Sequence, residues 1–148
     1  MATYINNVFA AILLSSWSTA PIVAVAEGKV QLEITGFKSN KGQVMLKVYR
    51  SSEGFPREDE KAYKIYFYAF TDLHLKVTLA LPQGEYAIVV CHDKNGNKKV
   101  DTNFIGIPKE PLGVSNYPKL AKPNYEKAKF WLSENDTVKL SIPVDTIL

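Results

Sequence analysis

The sequence predicts an all-β protein, folded as a single antiparallel Greek-key sandwich of about seven strands. Three observations support this prediction. Short segments rich in β-branched and aromatic residues recur along the chain, and several alternate polar with apolar positions. Turns containing Gly, Pro or Asn separate most of them. No long segment repeats its apolar residues at helical spacing, and 148 residues make one ordinary domain.

The predicted strands follow one another with mostly short connections. In order, they cover residues 29–35, 43–50, 63–70, 74–81, 85–92, 129–132 and 137–144. The first alternates polar with apolar residues, the second repeats the alternation with Val44, Leu46 and Val48, and we expect the two to form a hairpin through the turn at 36–42. The fifth is almost wholly apolar, so it should be central and covered on both faces. A polar loop over 51–61, anchored by Phe55, and a helical turn over 125–128 complete the outline.

The N-terminal segment is typical of a secretory signal peptide. Residues 1–26 contain no Asp, Glu, Lys or Arg, and an apolar core at 8–14 precedes the small-x-small pattern Ala24-Val25-Ala26. An uncleaved membrane anchor is the alternative, but Ser, Thr and Pro interrupt the apolar run. We therefore predict an exported protein with 27–148 as one mature domain. No stable membrane span is expected after cleavage.

Charge and cysteine content narrow the function further. The net charge of +3 comes from 18 basic and 15 acidic residues mixed along the chain, a pattern that does not indicate nucleic-acid binding. Cys91 is the single cysteine, so no internal disulfide can form. Its apolar neighbours predict a small buried thiol that packs as a hydrophobic side chain.

A polar segment after the fifth strand, residues 92–103, is the strongest candidate for a site. Its oxygen-bearing side chains fall at positions 1, 3, 5 and 9 of a calcium-type loop: Asp93, Asn95, Asn97 and Asp101. Position 12 is Phe104 rather than Glu, and two lysines lie inside the loop, so any Ca²⁺ site should be weak. The alternative is a loop that holds itself through Asx-turns, in which Asp and Asn accept hydrogen bonds from nearby backbone amides.

His92 is the other residue that invites a chemical interpretation. A metal-dependent hydrolase could use it with the acidic residues of the loop. No Ser or Cys nucleophile with a supporting base can be identified, however, and His74 is the only other histidine. We therefore predict no catalytic residues and no cofactor apart from a weak Ca²⁺. His92 is expected to end its strand and to orient the loop.

Several motifs resemble one bacterial exported family, filed as domain of unknown function 2141. They are Leu-Pro-x-Gly-x-Tyr at 81–86, His-Asp-Lys-Asn-Gly-Asn at 92–97, Asp-Thr-Asn-Phe at 101–104, the Gly- and Pro-rich segment 106–116, and 122–130. The resemblance implies a bacterial periplasmic or secreted β-sandwich of transthyretin-like (prealbumin-like) or immunoglobulin-like type, with no established activity. Two positions depart from the family: Lys98 stands where it usually has Gly, and Val114 where it usually has Phe.

The predicted function is a non-enzymatic binding or structural module of the cell envelope. Its contact surface would be the loop face, residues 92–116, which also contains His92, Asn103, Gly106, Pro108, Glu110, Gly113, Ser115 and Asn116. We expect any groove to have its wall at Glu110, Ser115 and Asn116, with Tyr117 and Tyr125 at its rim or pinning the loop. An envelope protein or polysaccharide is the expected partner, and the protein itself is expected to be a monomer.

Overall fold

The computed structural model describes residues 26–117 and 122–146, so the predicted signal peptide lies outside the described residues except for Ala26. The strands are β1 (Glu27–Thr35), β2 (Gln43–Tyr49), β3 (Lys64–Tyr68), β4 (Leu75–Pro82), β5 (Gly84–Asp93), β6 (Leu112–Val114), β7 (Phe130–Leu132) and β8 (Thr137–Pro143). A helical turn, α1 (Tyr125–Ala128), lies between β6 and β7. The all-β prediction is confirmed. β6 is an additional strand, inside a segment predicted to be a loop.

Two sheets form the domain. One has the order β4-β1-β8, and the other has β3-β2-β5-β6 with β7 also paired to β5. All strand pairs are antiparallel except β1 and β8, which run parallel. The turn that precedes β8 accounts for this parallel pairing. The turn at 133–136 bonds to the beginning of β1 through Asn135 N–H to the Glu27 carbonyl, so β8 starts beside that end and runs the same way.

The predicted hairpin between the first two strands is wrong. β1 pairs with β4 and β8, whereas β2 pairs with β3 and β5 in the other sheet. The connection 36–42 therefore crosses from one sheet to the other. Phe37 is buried in the core and fixes this crossing, while Gly36 and Gly42 take positive φ at its two ends. A Gly- and Asn-containing connection is compatible with either topology.

The main core lies between the sheets, where alternate residues of β1, β2, β4 and β5 meet. A second apolar cluster covers the outer face of β2 and β5 and is formed by Tyr49, Ala87, Val89, Val114, Tyr125 and Ala128, with Phe55 packed against it. β5 is thus buried on both faces, as its apolar sequence predicted. Among the described residues, no helix has the length and apolarity needed to cross a bilayer.

Candidate functional site: the loop end

Three connections leave the sheets at the same end of the molecule. β2 begins where β5 ends, with Gln43 opposite Asp93, and β3 ends at this level too. In the other sheet, β1 ends where β4 begins, with Ile34 opposite Leu75. We call this end the loop end; its connections are 36–42, 69–74 and 94–111. It contains most of the predicted loop face.

Asp93 is the buried centre of the loop end. Its Oδ1 accepts backbone hydrogen bonds from Gly96 at 2.8 Å and from Asn97 at 3.2 Å. Its Oδ2 accepts from the Lys98 backbone at 2.8 Å and from Gln43 Nε2 at 2.7 Å. The side chain has no solvent exposure. A carboxylate offers about four acceptor positions, so the loop backbone and one strand side chain use them all.

Glu110 is a second buried carboxylate that braces the same loop. Its Oε1 accepts from the Lys94 backbone at 2.9 Å, and its Oε2 accepts from the Asp101 backbone at 3.2 Å. Cys91 lies beneath it, with Sγ 3.6 Å from Oε2. Burial raises the pKa of the Cys91 thiol, and the neighbouring Glu110 carboxylate adds to the rise. The predicted burial of Cys91 is confirmed, and a raised pKa disfavours the nucleophilic thiolate.

The remaining calcium candidates form a partly exposed cluster. Asn95 Nδ2 donates to Asp101 Oδ2 at 2.6 Å, and Asn97 Nδ2 donates to Asp101 Oδ1 at 3.1 Å. The amide oxygens turn the other way: that of Asn95 accepts from the Asn97 backbone, and that of Asn97 accepts from the Lys99 backbone. These last two contacts span two residues each and are Asx-turns.

This geometry corresponds to the self-bracing alternative for the loop. The oxygens of Asp93 accept from loop amides and from Gln43, and the side-chain oxygens of Asn95 and Asn97 accept from backbone amides. Within the described residues, no three side chains of His, Cys, Asp or Glu converge as a metal-binding set. The Ca²⁺ site stays a prediction, for which calorimetry at millimolar calcium is the direct measurement.

His92 lies on the opposite side of β5 from Asp93. It faces the core between the sheets, edge-on to the rings of Phe37 and Phe70. Its Nε2 donates to the Lys41 carbonyl at 2.8 Å, and its Nδ1 is buried with no hydrogen-bond partner among the described residues. His92 therefore ties the sheet-crossing connection to β5, whereas the sequence predicts that it orients the loop after its own strand.

The C-terminal part of the predicted loop face lies elsewhere. Ser115 is buried beside the middle of β5, where its Oγ accepts from the Ile88 backbone at 2.9 Å and donates to the Ala128 carbonyl at 2.7 Å. Asn116 donates to the backbone next to α1. Gly113 packs so closely against β8 that an added Cβ would lie 2.6 Å from a carbonyl oxygen. These three residues join β6 to its neighbours.

Of the two roles left open for Tyr117 and Tyr125, the structure shows the pinning of the chain. Tyr125 is buried edge-on against Phe55. Burial raises its pKa to about 12, with the Glu85 carboxylate as the next cause. Tyr117 is half-buried against the same outer cluster, and its hydroxyl donates to the Lys122 carbonyl at 2.6 Å. Both side chains thus hold the segment around α1 on the outer face of the sheet.

A small hydrogen-bonded hairpin is formed by residues 101–109 at the loop end. The backbone N–H of Asn103 donates to Ile107, and its side-chain oxygen accepts from the backbones of Ile105 and Ile107. Pro108 forms a bridge with Thr102. Gly106, at φ +81°, completes the turn with open space around it. At its tip Phe104 is 99% exposed and Ile105 is 64% exposed.

A cavity of about 330 Å³ lies between this hairpin and the outer face of β2 and β5. Its walls are mainly apolar and include Val89, Val100, Pro108 and Leu112. The predicted wall of Glu110, Ser115 and Asn116 does not line it. Lys47 does, although it is almost fully buried; its Nζ contacts the carboxylate of Asp59, in the 3₁₀ turn Asp59–Lys61.

The conformation of Lys98 supplies a test of local strain. Its φ is +63°, in the left-handed region where a side chain costs about 1 kcal/mol relative to glycine. Lys98→Gly keeps the backbone N–H that binds Asp93, so we expect it to raise the free energy of unfolding by about 0.5–1 kcal/mol. Urea denaturation measures this. The control is Lys99→Gly, where no positive φ is relieved and a small loss is expected; equal effects of the two changes would contradict strain at Lys98.

A comparison with protein-family models decides the family. The model described as "Uncharacterized protein conserved in bacteria (DUF2141)" matches residues 32–140. The chain belongs to this family. Comparisons with curated proteins and with solved structures found no match. The DUF2141 match runs from β1 into β8, so it includes both sheets and the whole loop end. It also includes Lys98, where the sequence resemblance had marked a departure from the family's usual glycine.

Proposed function

We propose that this DUF2141 protein is an exported, non-enzymatic binding module of the cell envelope that contacts its partner through the exposed part of the loop face, residues 94–109. One observation carries the proposal. Two buried carboxylates, Asp93 and Glu110, hold a long polar loop in a single conformation that presents an exposed apolar tip. Preformed loops on a β-sheet scaffold are a common way to build a contact surface.

The arrangement of the acidic groups favours binding over catalysis. Asp93 and Glu110 accept hydrogen bonds from backbone amides and have little or no exposure to solvent. A general base needs access to the proton that it removes. Their chemistry at the loop end is to fix the backbone.

The alternative, a metal-dependent hydrolase, needs His92 to work beside the acidic residues. His92 and Asp93 are neighbours in a strand, and their side chains therefore leave opposite faces of the sheet. His92 has no exposed surface and its Nε2 already donates to a carbonyl. A hydrolase would require the His92 side chain to leave the core and reach the acidic residues. The binding module requires no such movement, which is why we prefer it.

The experiment uses the protein recovered after export, which N-terminal sequencing should show to begin at Glu27. Immobilised protein is incubated with a soluble envelope extract and, separately, with envelope membranes. We expect at least one of these fractions to be retained, and the double substitution Phe104→Ser/Ile105→Ser at the tip to abolish retention. The control is Trp131→Ser, which removes a 57% exposed apolar side chain beside the opposite end of β5.

Two results would contradict the proposal. One is retention that the tip substitution leaves intact. The other is a mature protein that retains nothing from either fraction. A chain that still begins at Met1 would overturn the export part alone.

A further inference from the structure

Three of the six exposed large hydrophobic side chains in the described part of the chain lie at the loop end. Phe104 and Ile105 form the tip of the 101–109 hairpin, and Leu73 is exposed on the adjacent connection 69–74. A hydrogen bond from Asn40 Nδ2 to the Thr71 carbonyl, at 3.1 Å, ties two of the three connections together. Leu73, Phe104 and Ile105 are exposed and do not line the cavity beside the hairpin.

Positive charge is concentrated at the same end. Its three connections contain six exposed lysines: Lys38, Lys41, Lys94, Lys98, Lys99 and Lys109. Against them stand the exposed Asp72, the half-buried Asp101 and the half-buried Asp145, whose carboxylate lies 3.8 Å from Lys38 Nζ. Asp93 and Glu110 are buried and hydrogen-bonded. The accessible balance is therefore six positive against three negative groups, while the whole chain has a net charge of only +3.

We propose that the loop end binds an anionic phospholipid membrane, with Phe104 and Ile105 inserted at the interface and the surrounding lysines against the headgroups. This inference rests on the proposed function and names the partner of the same surface. Apolar side chains that enter the boundary between headgroups and acyl chains bind in proportion to their buried area. Lysines near an anionic surface add electrostatic attraction, and their long stems let the charge stay at the headgroups.

The hydrogen bonds within the hairpin strengthen the inference. Asn103 holds both sides of the turn through its backbone and its side chain, so the tip is already ordered before it meets a surface. Little conformational entropy is then lost on insertion. The contact is interfacial and does not need a spanning helix.

A membrane fits these features better than a protein or a polysaccharide. A protein partner would need an apolar groove matched to a tip that projects freely. A neutral polysaccharide would make no use of the surplus of lysines. A bilayer surface requires only the two features that the loop end combines, protruding apolar groups and a positive surround.

The test is co-sedimentation of the exported protein with phosphatidylcholine vesicles, either alone or mixed with phosphatidylglycerol. We expect binding to the anionic vesicles to be at least about tenfold stronger and to weaken with salt. Phe104→Ser/Ile105→Ser should lower the partition coefficient by about tenfold or more. Lys99→Gln and Lys109→Gln should each lower it roughly fivefold. Trp131→Ser, at the other end, should leave it unchanged.

A fluorescence measurement separates insertion from simple adsorption. Trp131 is the only tryptophan of the mature chain, so Trp131→Phe/Phe104→Trp moves the reporter to the tip. Its emission should shift to the blue with anionic vesicles and stay unshifted with phosphatidylcholine alone. An unchanged circular dichroism spectrum checks that each variant is folded, which is expected because the replaced tip side chains are exposed.

The inference is overturned if the wild-type protein ignores both kinds of vesicle, if the tip substitution leaves binding intact, or if charge has no effect. The proposed function can survive that failure. A component of the soluble envelope extract that is retained through Phe104 and Ile105, without vesicle binding, would identify a protein or polysaccharide partner instead. Vesicle binding that depends on Trp131 would overturn both proposals.

Discussion

Asp93→Ala is expected to lower the free energy of unfolding by about 3–5 kcal/mol. The substitution removes an acceptor for three backbone N–H groups, those of Gly96, Asn97 and Lys98, and for the amide of Gln43. A buried donor left without a partner costs about 1–3 kcal/mol, and part of this is recovered as the loop opens to water. Urea denaturation, monitored by circular dichroism, gives the difference directly.

Two controls separate this structural role from calcium binding. Asp101→Ala removes a carboxylate whose side-chain partners are the exposed Asn95 and Asn97, so its expected cost is below about 1 kcal/mol. The Asp93→Ala effect should also be the same in EDTA and in millimolar Ca²⁺. If chelation alone abolished the difference between wild type and variant, the carboxylate would be acting through a metal and not through backbone amides.

The sequence identified Asp93 as a candidate site residue, but it did not show whether its carboxylate binds a cation or accepts hydrogen bonds from the loop backbone. Its spacing from Asn95, Asn97 and Asp101 suits calcium ligands and Asx-turns equally, because both need oxygens that point back into a loop. The choice between them depends on which oxygens face the backbone. Gln43 takes part from fifty residues away through the pairing of β2 with β5, and no local pattern could have predicted that contact.

Strand positions were predictable because each strand has a period of two or a dense apolar run. The pairing of the strands was less predictable from the sequence. The sequence of 36–42 fits a hairpin turn. The strands that pair with β1, however, are β4 and β8, which lie much further along the chain. β6 was not predicted because it has only three residues and contains Gly113, a residue type that is uncommon inside strands. The glycine is needed there because β6 packs closely against β8.

Lys47 shows that the alternation of polar and apolar residues in a strand does not always predict which side chains are exposed. It occupies the polar position between Leu46 and Val48, which predicts a solvent-facing side chain. The segment after β2 instead folds back over that face, anchored by Phe55 against Tyr49. The lysine is buried and ion-paired as a result, and its partner, Asp59, lies in a segment that reads only as a polar loop.

Asp59→Ala is therefore expected to lower the free energy of unfolding by about 2–3 kcal/mol. Removing one partner of a buried ion pair leaves the other charge uncompensated, at a typical cost of about 3–5 kcal/mol. The expected value is smaller here because the Asp59 side chain is 35% exposed, so water can reach the site. The Lys61–Glu53 pair on the same segment is exposed, and Glu53→Ala should leave the urea midpoint unchanged.

A second substitution distinguishes the cost of leaving the buried Lys47 ammonium unpaired from the cost of losing the contacts of Asp59 in the 3₁₀ turn. Lys47→Met has similar length and needs no ionic partner, so Lys47→Met/Asp59→Ala should recover most of the stability that Asp59→Ala loses. If the double variant is as unstable as Asp59→Ala, the loss comes from the 3₁₀ turn and not from the buried ammonium. The double variant leaves Phe104, Ile105 and the loop-end lysines in place. It should therefore bind anionic vesicles as the wild type does, because the proposed contact surface is the loop end and not the outer face that the substitutions alter.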